Sequence, residues 1–189
     1  MLIVYAHPNK DGHCGYFLQL IKDKLEQKGI DYDIYDLYKM NYNPVMKPEE
    51  HYSSGGKQIS EENKSIQARI KAEDKFIFIY PVWWNNMPAI LKGFFDRVFV
   101  SGFAFKYRIG IPVGLLKGKA VIFCSSGSPK LIANLYSGGR GFKLVSKDVL
   151  RFAGIKSKVY TVDRATRFND RQKRKIERLV DKGICYLAY

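Results

Sequence analysis

Three short stretches carry residue types that could hold a flat, anionic ligand. The first is His7-Pro8-Asn9-Lys10-Asp11-Gly12-His13-Cys14-Gly15, polar and glycine-bearing. The second is Pro81-Val82-Trp83-Trp84-Asn85-Asn86, with paired indoles and amides. The third is Ser125-Ser126-Gly127-Ser128, small and hydroxylated. A helix start offers free N–H groups and a positive dipole end, so the first stretch suits phosphate if a helix follows it. A plain strand-to-helix turn competes with that reading, because the stretch is neither Gly-x-Gly-x-x-Gly nor a Walker loop. Two exposed indoles are costly unless something flat covers them. The alternative is that both are core or intersubunit contacts. Glycine and serine at a strand end admit a ligand closely and supply hydrogen bonds.

Each stretch follows an apolar run. Residues 2–6, 76–80 and 120–124 are continuous hydrophobic segments, the pattern of parallel strands covered on both faces. Residues 32–36 and 158–162 read as two further strands. Apolar spacing predicts helices over residues 15–28, 61–72, 89–98, 143–152 and 169–187. Ser60 and Asn169 are placed to cap two of them, and Gly29 and Gly154 to end two others. Strands alternating with helices give an α/β fold with right-handed crossovers. In such sheets ligands bind outside the strand carboxyl ends, where strand order reverses. The polar residues 46–62, with Ser53-Ser54-Gly55-Gly56 inside, read as a mobile loop. His51 and Tyr52 there read as loop packing or as a lid.

Composition bounds the rest. At 189 residues the chain fits a single domain over 1–189. No apolar run reaches the roughly 18–20 residues that cross a bilayer, and the start lacks signal-peptide features, so a cytoplasmic location is expected. Three cysteines without paired spacing argue against a disulfide framework. His7, His13 and His51 lack ligand spacing, so no metal is expected. The net charge is +14, from 32 Lys and Arg against 18 Asp and Glu. That balance suits an anionic partner or simply a solvated surface. The basic run Arg164, Arg167, Arg171, Lys173, Arg174, Lys175 and Arg178 reads as a solvated helix face rather than a nucleic-acid surface. Asp36, at the end of the second strand, reads as structural.

The string Tyr-Pro-Val-Trp-Trp-x-x-Met-Pro-Ala-Ile-Leu-Lys-Gly-Phe-Phe-Asp-Arg-Val over residues 80–98, with Gly102-Phe103-Ala104-Phe105 after it, resembles the flavin-dependent NAD(P)H:quinone oxidoreductases of the flavodoxin-like superfamily. His7-Pro8 and Asp36-Leu37-Tyr38-Lys39-Met40 extend the likeness. The resemblance implies a five-stranded doubly wound parallel sheet of order 2-1-3-4-5. It implies bound FMN, with FAD as the alternative, NAD(P)H as co-substrate and a quinone-like acceptor. It implies a homodimer, with residues 102–105 lying over the partner's flavin. His7, Asn9, Gly12, His13 and Cys14 take the phosphate-loop positions. Pro81, Val82, Trp83, Trp84 and Asn85 take the ring-lining positions, and Ser125, Ser126, Gly127 and Ser128 the pyrimidine edge. Where the family carries Ser, an aromatic and Asn, this chain has Gly12, His13 and Cys14. Tyr136 and Arg140 lie near the positions of the family's Tyr and His that stabilise charge during hydride transfer. An electron carrier and a regulatory accessory subunit are rival readings. Against the carrier stands the charge, since such carriers are usually acidic.

Overall fold

The structure, a computed structural model, describes residues 1–51, 53 and 58–188. Tyr52, Ser54, Gly55 and Gly56, on which the loop and lid expectations fall, lie outside the described residues.

Five strands form one parallel sheet: β1 (Leu2–Tyr5), β2 (Asp33–Asp36), β3 (Lys75–Pro81), β6 (Lys119–Ser125) and β7 (Lys156–Val162). Their order is β2-β1-β3-β6-β7, the expected 2-1-3-4-5 with its reversal between β1 and β3. Between β3 and β6 along the chain, where the sequence predicts an aromatic segment and a turn, lies a separate two-stranded antiparallel ribbon, β4 (Phe105–Arg108) and β5 (Ile111–Gly114).

Period-two alternation splits the strand side chains between two cores. Leu2, Val4, Phe76, Phe78, Tyr80, Ala120, Ile122 and Cys124 face one side. They pack against α2 (Glu61–Lys71), α3 (Ala89–Val98) and the helical stretch 140–153. Ile3, Tyr5, Ile77, Ile79, Val121 and Phe123 face the other side, against α1 (His13–Gln27) and α7 (Asp170–Ala188). Burying each Val, Leu, Ile or Phe among these contributes about 1.5–3 kcal/mol. This burial on both faces is why the strands read as unbroken apolar runs.

Several boundaries differ from expectation for local reasons. Helix α1 begins at His13, two residues early, because Gly12 adopts φ 104° and lets the chain turn sharply into the helix. A separate helix, α4 (Lys130–Ser137), precedes the expected helix at residue 143; Gly138 and Gly139, both left-handed, break the chain between them. The expected helix is itself composite, with α5 (Arg140–Leu144), a π-helical turn over Val145–Leu150 and α6 (Arg151–Ala153). Ser60 does cap α2, accepting the Asn63 N–H at 3.3 Å. Asn169 Oδ1 accepts the Gln172 N–H at 3.1 Å at the start of α7.

A buried ion pair pins the excursion after β2 onto α3. The Arg97 guanidinium meets Glu50 through two bonds, Nε to Oε2 at 2.8 Å and Nη2 to Oε1 at 2.6 Å. It also donates to the Asn43 carbonyl and lies 5.5 Å over the Tyr42 ring. Asp36 likewise holds structure: its carboxylate accepts the Lys39 N–H and pairs with Lys10 at 3.1 Å.

Candidate functional site

Parallel pairing aligns the strand ends, and a few backbone bonds knit the turns that follow them. Tyr5 stands opposite Ile79, and Pro81 opposite Ser125. Beyond the ladders, Ala6 N–H donates to Ile79 O, Val82 N–H to Ser125 O, Ser126 N–H to Val162 O and Ala165 N–H to Ser126 O, at 2.7–2.9 Å. Four turns therefore meet at one rim of the sheet, astride the strand-order reversal.

They enclose a cavity of about 190 Å³. Its lining includes His7, Gly12, His13 and Cys14 after β1, Pro81, Val82 and Trp83 at and beyond the end of β3, and Ser125, Ser126 and Gly127 at and beyond the end of β6. Asp11 and Ala165, neither of them a residue that the sequence marks as a ligand contact, complete it. Nothing in the chemistry of Ala165 would have found it. Its place depends on β7 standing beside β6.

The first turn is held rigidly. The Tyr5 hydroxyl donates to Asn9 O at 3.0 Å, and His7 Nδ1 lies 2.5 Å from the same carbonyl. Asn9 Oδ1 accepts the Asp11 N–H at 2.8 Å. Asn9 thus shapes the loop from outside the cavity lining. Gly15 shows how tightly this loop sits on the helix: a Cβ there would lie 1.5 Å from the Lys10 carbonyl oxygen. No side chain caps α1, so the N–H groups of its first turn face the cavity end without side-chain acceptors. His13 Nε2 is buried and lacks a hydrogen-bond partner. Burial pushes the His13 pKa below its usual value. Cys14 is buried, its Sγ 3.3 Å from Ser125 Oγ, and burial raises its pKa to about 12. The thiol is therefore neutral and unreactive at ordinary pH.

The second turn is a hairpin-type reversal. Trp83 and Asn86 exchange backbone bonds of 3.0 and 2.8 Å, while Trp84 and Asn85 take φ of 51° and 54°. Two successive positive φ values mark a type I′ turn. For a bulky residue such as Trp84 that conformation is strained, and such strain concentrates at functional sites. Trp84 is fully exposed at the turn's tip, whereas Trp83 is 41% exposed and its ring lies 5.9 Å from that of His7. The indoles are thus not sealed in the core. Trp84, Asn85 and Ser128 stand outside the cavity lining.

Tyr136 and Arg140 also lie outside the lining, both exposed. Their segment nevertheless abuts the Trp turn: Ser137 Oγ donates to Asn85 Oδ1 at 3.3 Å. Gly141 fits so closely that a Cβ would lie 2.7 Å from Val82 Cγ1. Among the described residues, no cluster of three or more His, Cys, Asp and Glu side chains is placed to hold a metal. No helix among them is long and apolar enough to cross a membrane.

A doubly wound parallel sheet with a cleft at its switch point, uncapped helix N–H groups on one wall and an indole turn on another, has the architecture of the open α/β proteins whose ligands sit outside the strand carboxyl ends. The comparisons with known proteins narrow the class. The family model described as flavodoxin-like fold matches residues 1–182, and the chain belongs to that family. It is 39% identical over 122 residues to an uncharacterized NAD(P)H oxidoreductase of Haemophilus influenzae, covering 62% of this chain and 59% of that one. The chain spans about three fifths of the length of the curated relatives it matches. Two solved structures are similar nearly end to end. The protein Smu.1420 of Streptococcus mutans UA159 superposes with a TM-score of 0.85 at 28% identity, covering 96% of this chain and 97% of that one. The NAD(P)H:quinone oxidoreductase of Methanothermobacter marburgensis superposes with a TM-score of 0.82 at 28% identity, covering 96% and 94%.

Proposed function

We propose that residues 1–189 act as one flavin-binding domain of an NAD(P)H-dependent oxidoreductase that passes electrons to a quinone or similar flat acceptor. The observation that carries this reading is the convergence of the three turns on one cavity. Uncapped N–H groups, an orphaned imidazole nitrogen and the Gly12–Gly15 cradle fit a phosphate. The Trp83–Asn86 turn fits a ring face, and Ser125, Ser126 and Gly127 fit a polar ring edge.

A bound flavin supplies the two-electron transfer between nicotinamide nucleotide and acceptor. The chain's own residues bind, orient and exclude water. The α1 amides and His7, Gly12, His13 and Cys14 hold the phosphate end. Pro81, Val82, Trp83, Trp84 and Asn85 line the ring, with Ser125, Ser126, Gly127 and Ser128 offering hydroxyls and N–H groups to its polar edge. Asn9 fixes the loop. Tyr136 and Arg140, on the segment against the Trp turn, face charge that develops as electrons arrive.

A cavity of about 190 Å³ is smaller than the roughly 300–1,000 Å³ usual for a bound cofactor. The ring must therefore lie partly over the open rim, where a second copy of the chain covers it. Large apolar side chains stand exposed: Tyr107, Ile109 and Ile111 on the ribbon, and Leu131, Leu135 and Tyr136 on α4. Exposed apolar surface of this kind marks an interface, and a homodimer accounts for it.

FMN is the proposed cofactor. One feature favours FAD as a second reading. A neighbouring cavity of about 680 Å³ shares Asp11 and Gly12 with the first and carries Lys10, Lys22, Lys39, Tyr16 and Phe168. That chemistry suits a further phosphate and a second aromatic ring.

The test is spectroscopic. Flavin-loaded protein should oxidise NADH or NADPH when a quinone is added, read as loss of reduced-nicotinamide absorbance. Flavin-loaded protein that leaves both nucleotides unoxidised would remove the enzyme reading and favour a carrier.

A further inference from the structure

We propose that the His13 imidazole grips the flavin's terminal phosphate as an imidazolium, so that each phosphate bound brings one proton into the site. The inference rests on the flavin reading above.

Three observations carry it. The turn has no hydroxyl at its cap: Gly12 occupies that position, and no side chain caps α1. His13 is the next residue and belongs to the cavity lining, and its Nε2 is buried without a partner. The ring is also held in place. It meets the Phe168 ring edge-on at a centroid distance of 5.1 Å, and Phe168 is braced by Tyr16 at 5.4 Å. A buried polar nitrogen without a partner is costly, and a phosphate oxygen would accept from its N–H.

The charges around the ring decide its protonation state. From its own turn, His7 and Asp11 share the cavity, and Cys14 is a neutral thiol. The turn after β3 contributes no titratable side chain to the lining, and the turn after β6 contributes only the Ser125 and Ser126 hydroxyls. From α7, Lys173 Nζ stands 5.5 Å over the far partner, Phe168. The positive end of the α1 dipole also disfavours an imidazolium. Without ligand the ring is therefore neutral at pH 7, in keeping with the downward push of burial. A phosphate monoester brings a charge of about −1.5 to −2 and three acceptor oxygens. Against that charge the imidazolium wins, because a charge-assisted bond is roughly twice as strong as a neutral one.

The proton comes from solvent, so phosphate affinity must fall as pH rises. The fall reaches up to about tenfold per pH unit while one proton is taken up. The second ionisation of the phosphate itself lies near pH 6, which leaves pH 7–9 as the window that reports His13.

The experiment is calorimetric titration of flavin-free protein with FMN and with riboflavin, at pH 7–9, in buffers of differing ionisation heat. The expected result is uptake of close to one proton with FMN by the wild type, and none by His13→Gln or His13→Phe. Riboflavin, which lacks the phosphate, should bind without proton uptake in every case. FMN binding to the wild type without a proton, or uptake that survives in both His13 variants, would overturn the inference and leave the flavin reading intact. Failure of both FMN and riboflavin to bind the wild type would overturn the flavin reading and this inference with it.

Discussion

The Cys14 Sγ lies 3.3 Å from the Ser125 Oγ, and this contact joins the first turn of α1 to the last residue of β6. Both thiols of the inner site, Cys14 and Cys124, are buried, and burial raises each pKa to about 12. Cys185 alone is exposed. Intact-mass analysis after iodoacetamide treatment at pH 7.5 should therefore show one adduct on native protein and three on denatured protein. Rapid appearance of a second native adduct would show that the cavity end is looser than described.

Gly15 should tolerate no side chain, since its Cβ would fall inside the Lys10 carbonyl. Gly15→Ala must push the loop off α1, at a cost of about 1–3 kcal/mol. FMN affinity should fall by about tenfold or more, because 1.4 kcal/mol of misplacement is already tenfold. Urea unfolding and flavin-fluorescence titration measure the two effects. A variant with unchanged flavin affinity would detach this loop from phosphate binding.

The Arg97–Glu50 pair is nearly sealed, with side-chain exposures of 3% and 8%. Truncating Arg97 to alanine leaves a buried carboxylate uncompensated and should cost about 3–5 kcal/mol. The hydrogen bond from Arg97 holds the Glu50 carboxyl below its usual pKa. A depressed folded-state pKa stabilises above the unfolded value and loses that contribution as pH falls through the folded one. Wild-type stability should thus be level above about pH 5 and decline below about pH 4.5, with Glu50→Gln showing a shallower decline. Equal acid slopes for the two proteins would contradict the assignment.

Trp84 sits at φ 51° and is fully exposed, so its side chain gains little for the strain it imposes on the isolated chain. Asn tolerates that backbone conformation far better. Trp84→Asn should raise stability by about 1 kcal/mol, equivalent to about 2–4 °C in Tm. If the indole covers the ring or the acceptor, KM for the quinone should rise several-fold in the same variant. A variant that is both less stable and unchanged in KM would count against a functional origin for the strain.

How far the sequence foretold this molecule depends on the range of the interaction. The five sheet strands were legible because each is buried on both faces, and the phosphate-type turn because glycine and polar residues punctuate the step from β1 to α1. The ribbon β4–β5 was not, because Tyr107, Ile109, Ile111 and Val113 are all exposed and give no clean alternation of buried and solvated positions. Helix α4 was not legible for a related reason: among its eight residues only Ala133 is buried, while Leu131, Ile132 and Leu135 lie on the surface. The Arg97–Glu50 pair joins residues 47 positions apart, and Asp11 and Ala165 reach the cavity through strand order alone. The indoles of Trp83 and Trp84 were legible as unusual residues, but the left-handed turn that displays Trp84 was not, since Trp-Asn carries none of the glycine that such turns normally use.

The central claim is that the rim between β1, β3 and β6 holds one flavin. Its most direct test is to incubate the purified chain with excess FMN, remove the unbound dye, denature the protein and identify the released cofactor by absorbance and mass. The account predicts one FMN per chain. A colourless preparation that releases no flavin, from protein shown by circular dichroism to be folded, would contradict it.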